Sequence, residues 1–134
     1  MIHIIMVSHG EYAKAMLESA QLIVGEQENT AVFGFNLGDS ADQLRESIEN
    51  EVERVQKSGD VLVLTDMFSG SPFNVASSLM QKYSFQHITG ANLPLLLEIL
   101  ISRDDISIEE LCNNVIEKGK DTIVHVNKFL EEME

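Results

Sequence analysis

The sequence predicts an α/β fold: a doubly wound, mainly parallel four-stranded sheet with helices on both faces. Two observations lead to this prediction. Short apolar runs alternate with segments whose apolar residues recur at helical spacing, and capping residues mark most of the helix starts. The 134 residues, of which 44% are apolar and 23% charged, suffice for one buried core, and no stretch reads as a linker or repeat. We therefore expect residues 1–134 to form a single domain.

The first half of the chain predicts three strands with two helices between them. Ile2 to Val7 is an apolar run broken only by His3, which is typical of a parallel strand buried on both faces. The second and third predicted strands are Thr30 to Phe35 and Val61 to Leu64. The two segments between them each carry one apolar helical face, and Gly25 and Gly59 end them. Ser40 and Gln43 form a capping box at the start of the second helix.

The second half predicts two further strands, again separated by helices. Helix starts are indicated by caps, in which a side-chain oxygen accepts from a free amide of the first turn. The predicted caps are Ser71 before Pro72, Asn92, and Ser107 with Glu110 in a second capping box that Gly119 terminates. The predicted strands are Phe85 to Thr89 and Thr122 to Val126, and a polar helical tail is predicted over Asn127 to Glu134.

The order 2-1-3-4 is expected for the four main strands, with the second crossover returning past the first strand. Sites in such sheets lie beyond the carboxyl ends of the strands, where the strand order reverses. Strands 1 and 3 are then neighbours at the reversal, and the loops that follow them carry Ser8-His9-Gly10 and Asp66 through Pro72. The two most polar glycine-bearing loops should therefore face each other across the predicted crevice.

His9 and Asp66 are the candidate reactive pair in this crevice. A histidine here could serve as general base, metal ligand or covalent nucleophile, or it could simply hydrogen-bond locally. A facing carboxylate favours chemistry, because it can accept from one ring nitrogen and leave the lone pair of the other free to attack. Asp66 alone could equally stabilise a turn.

The segment Ser69-Gly70-Ser71-Pro72 leads into a helix N-terminus. Free backbone amides, the positive end of the helix dipole and a serine hydroxyl together make an anion site, which could hold a phosphoryl group on His9. An ordinary helix cap explains the same residues. No phosphate-binding loop with the spacing of an ATP or dinucleotide site is present, and no cofactor is expected.

Other kinds of site are disfavoured by the sequence. The remaining histidines, His3, His87 and His125, fall inside predicted strands rather than at ligand spacing, so no metal site is expected. Cys112 lies beside Leu111 on a predicted helix and is interpreted as a core residue. No nucleophile elbow surrounds a serine, so a serine hydrolase is not favoured.

The charge balance limits the classes of partner. Nine basic residues against 22 acidic ones give a formal net charge of −13, which disfavours nucleic acid and anionic membrane surfaces and favours a basic protein partner. The start of the chain lacks the features of a signal peptide, and the longest apolar run, Leu93 to Leu97, is too short to cross a bilayer. A cytoplasmic protein is expected.

Three segments of the sequence, MVSHG, LTDMFSGSPFNVAS and ITGANLPLLLE, resemble the enzyme IIA component of the mannose class of the bacterial phosphoenolpyruvate-dependent sugar phosphotransferase system. The resemblance implies that His9 is phosphorylated on Nε2 by the phosphocarrier HPr and passes the group to enzyme IIB. It also implies that Asp66 orients the ring. The phosphoryl oxygens would be bound by Ser71 together with neighbouring loop residues, for which we name Gly70, Ser69 and Gly10.

The same resemblance carries expectations about assembly. Members of the family are homodimers that exchange a C-terminal strand, which would be Thr122 to Val126 here. Because the chain ends at Glu134, we expect IIB to be a separate chain, with the membrane components IIC and IID reached indirectly. One residue departs from the family pattern: Ser69 stands where the first of two glycines is common, and serine tolerates a positive φ less well than glycine.

Three alternative functions remain open at this point. A phosphotransferase subunit that feeds dihydroxyacetone kinase has a similar domain, although the SGSPFN motif favours the sugar system. A non-catalytic regulatory module would keep the fold and bind partners according to phosphorylation, but an intact His9–Asp66 pair disfavours it. A small hydrolase using these two residues lacks a second acid or nucleophile. The sequence does not indicate which sugar is transported.

Overall fold

The computed structural model describes residues 1–133, and its sheet consists of four parallel strands. The strands are β1 (His3–His9), β2 (Thr30–Phe35), β3 (Val61–Thr65) and β4 (Gln86–Thr89). They are arranged in the order β2-β1-β3-β4, and every neighbouring pair is parallel. The predicted fold class and strand order are therefore confirmed.

The described residues also form six helices. They are α1 (Tyr12–Val24), α2 (Ala41–Val55), α3 (Gly70–Leu79), α4 (Leu93–Ser102), α5 (Ile108–Gly119) and α6 (Val126–Glu132). No helix within residues 1–133 combines the length and the apolar character that crossing a membrane requires.

The sheet separates two apolar cores because successive side chains of a strand point to opposite faces. Ile4 and Met6 of β1 pack against α1, α4 and α5, whereas Ile5 and Val7 pack against α2 and α3. All four side chains are buried. Burial on both faces explains why the two central strands, β1 and β3, are nearly continuous apolar runs. It also holds β1 in place up to the residue where the loop begins.

Three of the predicted helix caps are present. The side chain of Ser40 accepts from the amide of Gln43, that of Asn92 from the amide of Leu95, and that of Ser107 from the amide of Glu110. The α2 helix, however, ends at Val55, before the predicted stop at Gly59.

The predicted cap at Ser71 is wrong by two residues. The α3 helix begins at Gly70, and its N-cap is Ser69, which is extended and makes no capping hydrogen bond through its side chain. Gly70 has a φ of +89°, a conformation that glycine adopts without steric cost, so the chain turns into the helix earlier than expected. Ser71 therefore lies in the first turn of α3, where its backbone amide has no carbonyl acceptor within the helix.

The predicted fifth strand over Thr122 to Val126 is not part of the sheet of this chain. The hydroxyl of Thr122 accepts from Asn92 and donates to the carbonyl of Gly119. The chain then leaves the surface as an arm, with Ile123 90% exposed, and α6 begins at Val126. A strand needs a neighbouring backbone to pair with, and within residues 1–133 none lies beside this segment. Glu134, the end of the predicted helical tail, lies outside the described residues.

A buried arginine secures the amino ends of the strands. Arg103, at the end of α4, is 3% exposed, and burial lowers the pKa of its guanidinium. It donates to the backbone carbonyls of Ile2, Glu28 and Asn29 and to the side-chain carbonyl of Gln27, at 2.6 to 3.2 Å. These bonds tie α4 to the segments that precede β1 and β2, at the edge of the sheet opposite the His9 loop.

Replacing Arg103 should destabilise the fold. In Arg103→Met, the backbone carbonyls of Ile2, Glu28 and Asn29 lose the hydrogen bonds from the buried guanidinium, and we expect the free energy of unfolding in urea to fall by about 2–4 kcal/mol. The matched control is Arg54→Met, which removes an exposed i,i+3 pair with Glu51 and should change stability by less than about 1 kcal/mol. Equal losses of unfolding free energy in the two variants would contradict the stabilising role of the hydrogen bonds from Arg103.

Candidate functional site

His9 and Asp66 meet at the carboxyl edge of the sheet. His9 is the last residue of β1, and Asp66 directly follows β3, its hydrogen-bonded neighbour. The backbone amide of His9 donates to Asp66 Oδ2 at 2.9 Å, and the ring Nδ1 of His9 lies 2.9 Å from the same oxygen. Asp66 Oδ1 accepts from the amide of Met67 at 3.1 Å. The carboxylate therefore fixes both the backbone and the ring of His9.

The electrostatics of this pair favour one tautomer of the imidazole. Burial by itself would raise the pKa of the Asp66 carboxyl, but the hydrogen bonds from the His9 amide and ring hold that pKa below its usual value. Asp66 is therefore ionised at neutral pH and acts only as an acceptor. The proton of a neutral His9 then resides on Nδ1, which leaves a lone pair on Nε2. The His9 side chain is 45% exposed, against 13% for Asp66.

The start of α3 lies directly against the free edge of this ring. A Cβ built on Gly70 would stand 2.8 Å from both Nε2 and Cε1 of His9, so only a residue without a side chain leaves this space open. The amides of Gly70 and Ser71 belong to the first turn of α3, where the helix dipole is positive. An anionic group attached to Nε2 would therefore meet backbone donors and a favourable dipole.

The turn that carries His9 is held by contacts that the sequence did not reveal. The buried hydroxyl of Ser8 accepts from the amide of Ala13 at 2.8 Å and so satisfies a free amide at the start of α1. Gly10, with a φ of +53°, donates its amide to the carbonyl of Phe35 at 2.8 Å. A Cβ on Gly34 would collide with the Gly10 carbonyl oxygen. A glycine inside a predicted strand was the available signal for such a close approach.

The structure brings together only some of the predicted site residues. His9, Asp66 and Gly70 are in contact. Ser69 and Ser71 flank Gly70 at the start of α3, and within residues 1–133 neither hydroxyl makes a hydrogen bond to His9. The amide of Gly10 already donates to Phe35, so Gly10 does not supply a free backbone donor to this site.

The other histidines and the cysteine lie outside this pair. His3 is at the amino end of β1, and the ring of His87 in β4 is hydrogen-bonded to the hydroxyl of Thr65. His125 precedes α6 rather than lying in a strand, contrary to expectation. Within the described part of the chain, no group of three or more His, Cys, Asp or Glu side chains is placed to hold a metal ion. Cys112 packs partly buried against the core, and burial raises the pKa of its thiol.

These features define an α/β protein with a carboxylate-oriented histidine at the reversal point of its sheet. The family model EIIA-man, described as the PTS system fructose IIA component, matches residues 3–116. The chain therefore belongs to the IIA components of the mannose class of the phosphotransferase system, as the resemblance of the three sequence segments predicted.

Individual relatives agree with this family. The chain is 36% identical over 124 residues to the mannose-specific EIIAB component of Escherichia coli, covering 91% of this chain but only 38% of that longer protein. It is 30% identical to the fructose-specific EIIA component of Bacillus subtilis, covering 99% of this chain and 92% of the relative. The crystal structure of an EIIA component from Streptococcus agalactiae superposes with a TM-score of 0.87 at 34% identity, covering 96% and 99% of the two chains.

The lowered pKa of Asp66 predicts how stability depends on pH. Because the folded-state pKa lies below the ordinary value of 3.8, the ionised carboxylate stabilises the fold above that pH, and this contribution is lost as the pH falls through the folded-state pKa. We therefore expect the difference in unfolding free energy between wild type and Asp66→Asn to be largest near neutral pH and to narrow below pH 3.8.

Urea titrations at a series of pH values measure this difference. Asp105→Asn, at an exposed carboxyl in the turn after α4, serves as the control and should show no comparable narrowing. A difference for Asp66→Asn that stays constant down to the lowest pH at which the protein folds would contradict the prediction.

Proposed function

We propose that His9 is a phosphoryl carrier: its Nε2 accepts a phosphoryl group from phospho-HPr and passes it to enzyme IIB of a sugar phosphotransferase system. The observation that carries this proposal is the orientation of the ring by Asp66 through Nδ1, with Nε2 at the start of α3. Membership of the IIA family supports the phosphoryl-transfer role. IIB would then deliver the group to a sugar that enters through membrane components.

The chemistry balances without an external proton donor. The Nε2 lone pair of His9 attacks the phosphorus of the donor phosphohistidine, the N–P bond of the donor breaks, and its electron pair returns to the donor ring. The Nδ1 proton of His9 stays in place, and the positive charge that develops on the ring is stabilised by the Asp66 carboxylate. Transfer to IIB is the same step with His9 as the donor.

The phosphoryl oxygens would be bound at the start of α3. Gly70 lies against Nε2, and its amide and that of Ser71 belong to the positive end of the helix dipole, where the hydroxyls of Ser69 and Ser71 would add further donors. Pro72 has no amide to contribute. Neutral hydrogen-bond donors and a helix dipole bind the phosphoryl group less tightly than a cluster of arginines or a metal ion would. Weaker binding suits a carrier that has to release the phosphoryl group.

The exposed arm supports a homodimer as the working form. All six apolar side chains of residues 123–133 are exposed, an arrangement that favours contact with a second copy. These side chains are Ile123, Val124, Val126, Phe129, Leu130 and Met133. The two arms would then pack onto each other's chains, with residues Thr122 to Val126 as the exchanged segment.

Phosphorylation should depend on His9. Incubation with phosphoenolpyruvate, enzyme I and HPr should add one phosphoryl group that is labile in acid and stable in alkali, measured by intact mass. His9→Ala should take up none. Asp66→Asn should fold but accept the group roughly 10²–10⁴-fold more slowly, because the amide can present its N–H to Nδ1 and favour the wrong tautomer. Labelling of His9→Ala at the wild-type level would refute the proposal.

Gly70→Ala should block the reaction sterically. The new methyl group would occupy the space beside Nε2 in which the phosphoryl group has to form. The matched control is Gly25→Ala, because Gly25 has the same φ of +89° but nothing within 4 Å of an added Cβ. Gly70→Ala should lose more stability in urea than Gly25→Ala, because its added Cβ also displaces the His9 ring, and only Gly70→Ala should lose phosphorylation. Normal phosphorylation of a folded Gly70→Ala protein would contradict the arrangement.

The dimer is tested by molar mass in solution. Light scattering should give twice the mass of one chain for the wild type and one chain for Ile123→Asp, because the new charge opposes burial of the arm. Ile101→Asp, at another exposed apolar position, in α4, should remain a dimer. A monomeric wild type, or a dimeric Ile123→Asp, would exclude this assembly.

A further inference from the structure

A second histidine, His87, lies next to the loop that carries Asp66. His87 belongs to β4, which pairs with β3 so that Thr89 is opposite Thr65. Side chains two residues apart on a strand point to the same face of the sheet, so His87 and the two threonines share a face. The valines of β3 on this face pack against α2 and α3. These three polar side chains therefore lie on the side of the sheet that α3 covers.

His87 is hydrogen-bonded to the residue that directly precedes Asp66. Its Nε2 lies 2.8 Å from the buried hydroxyl of Thr65. That hydroxyl donates to Oγ1 of Thr89 at 2.8 Å, so the ring N–H on Nε2 of His87 donates to Thr65. Burial lowers the pKa of His87, so its ring is neutral at pH 7 and carries this single N–H. The end of β3 is thus held from the side of β4.

His87 also contacts the first turn of α3. Its ring packs against that of Phe73, with 5.3 Å between ring centroids. Phe73 comes three residues after Gly70, whose backbone lies against Nε2 of His9. Phe73 packs in turn against Phe68 of the preceding loop, at 5.0 Å between centroids. The ring of His87 is therefore linked to the helix turn at which the phosphoryl oxygens would be bound.

One imidazole thus joins the two sides of the loop formed by residues 66–70. This loop supplies the carboxylate to one ring nitrogen of His9 and the glycine beside the other. The residue before the loop accepts a hydrogen bond from His87, and an aromatic side chain after the loop packs against the same ring. Buried polar networks whose members all have partners favour one arrangement of the groups that they join. The spacing of the carboxylate and the glycine around His9 therefore depends on His87.

We propose that His87 is a positioning residue for phosphoryl transfer, which fixes the Asp66 carboxylate and the first turn of α3 on either side of the His9 ring. This inference rests on the proposed function and adds a residue that acts through others. His87 holds Thr65 and Phe73 and takes no part in the transfer itself. Its loss should slow the chemical step and leave the binding of the phosphoryl donor unchanged.

Steady-state kinetics with phospho-HPr separate these two effects. In His87→Ala, kcat should fall roughly tenfold while KM changes by less than about twofold, because the reacting groups are misplaced and the surface that meets the donor is retained. The matched control is His3→Ala, at a buried histidine at the amino end of β1 whose Nε2 lies 3.4 Å from the hydroxyl of Ser58. It should lose stability in urea and keep the wild-type kcat.

Conservative replacements test the two contacts of the ring separately. His87→Gln keeps an N–H that can reach Thr65, and His87→Phe keeps a ring against Phe73, so each should recover part of the kcat that His87→Ala loses. Thr65→Val removes the hydroxyl with little change in volume and should also lower kcat at unchanged KM. This variant provides the same test if His87→Ala does not fold.

The remaining outcomes separate this inference from the proposed function. A wild-type kcat in folded His87→Ala or Thr65→Val would overturn the positioning role, and so would an equal loss of kcat in His3→Ala, since the effect would then follow stability alone. A raised KM at unchanged kcat would also overturn it, because His87 would then act on donor binding. A wild type that is not phosphorylated on His9 would instead contradict the proposed function itself.

Discussion

One carboxylate oxygen, Asp66 Oδ2, determines the geometry of the site, because it receives both the backbone amide and the ring Nδ1 of His9. The first bond fixes where the strand ends, and the second fixes how the imidazole is turned and protonated. Both depend on the order of the strands, since β1 and β3 are neighbours only because the second crossover passes over β1. The topology of the sheet and the tautomer of one ring are thus linked through a single atom.

The site combines firm positioning with open access. The carboxylate is largely shielded while nearly half of the imidazole surface remains exposed, and Gly70 keeps the space beside Nε2 clear. A group bound there would meet backbone amides and a helix dipole rather than formal positive charges. Under the proposed function, such a site would stabilise the bound phosphoryl group only modestly, so that the group can leave again.

The sequence predicted what depends on local pattern and missed what depends on contacts between distant residues. The local pattern predicted all four strands of the sheet. It also predicted that the loops after the first and third strands face each other, which places His9 opposite Asp66. The predicted cap at Ser71 was wrong because Gly70 adopts a φ of +89°, which lets the chain enter the helix two residues earlier than the sequence pattern indicated. Arg103 could not be predicted, since its carbonyl acceptors are 74 to 101 residues away. The strand over Thr122 to Val126 was misplaced because pattern alone does not supply a pairing partner.

Arg103 and His9 lie at opposite ends of the strands. The hydrogen bonds from Arg103 hold the amino ends of the strands, whereas the loops around His9 leave the carboxyl ends, roughly 20 Å away along β1. A substitution in the exposed loops around His9 would therefore change the surface that other molecules meet without removing any of the bonds that hold the amino ends of the strands.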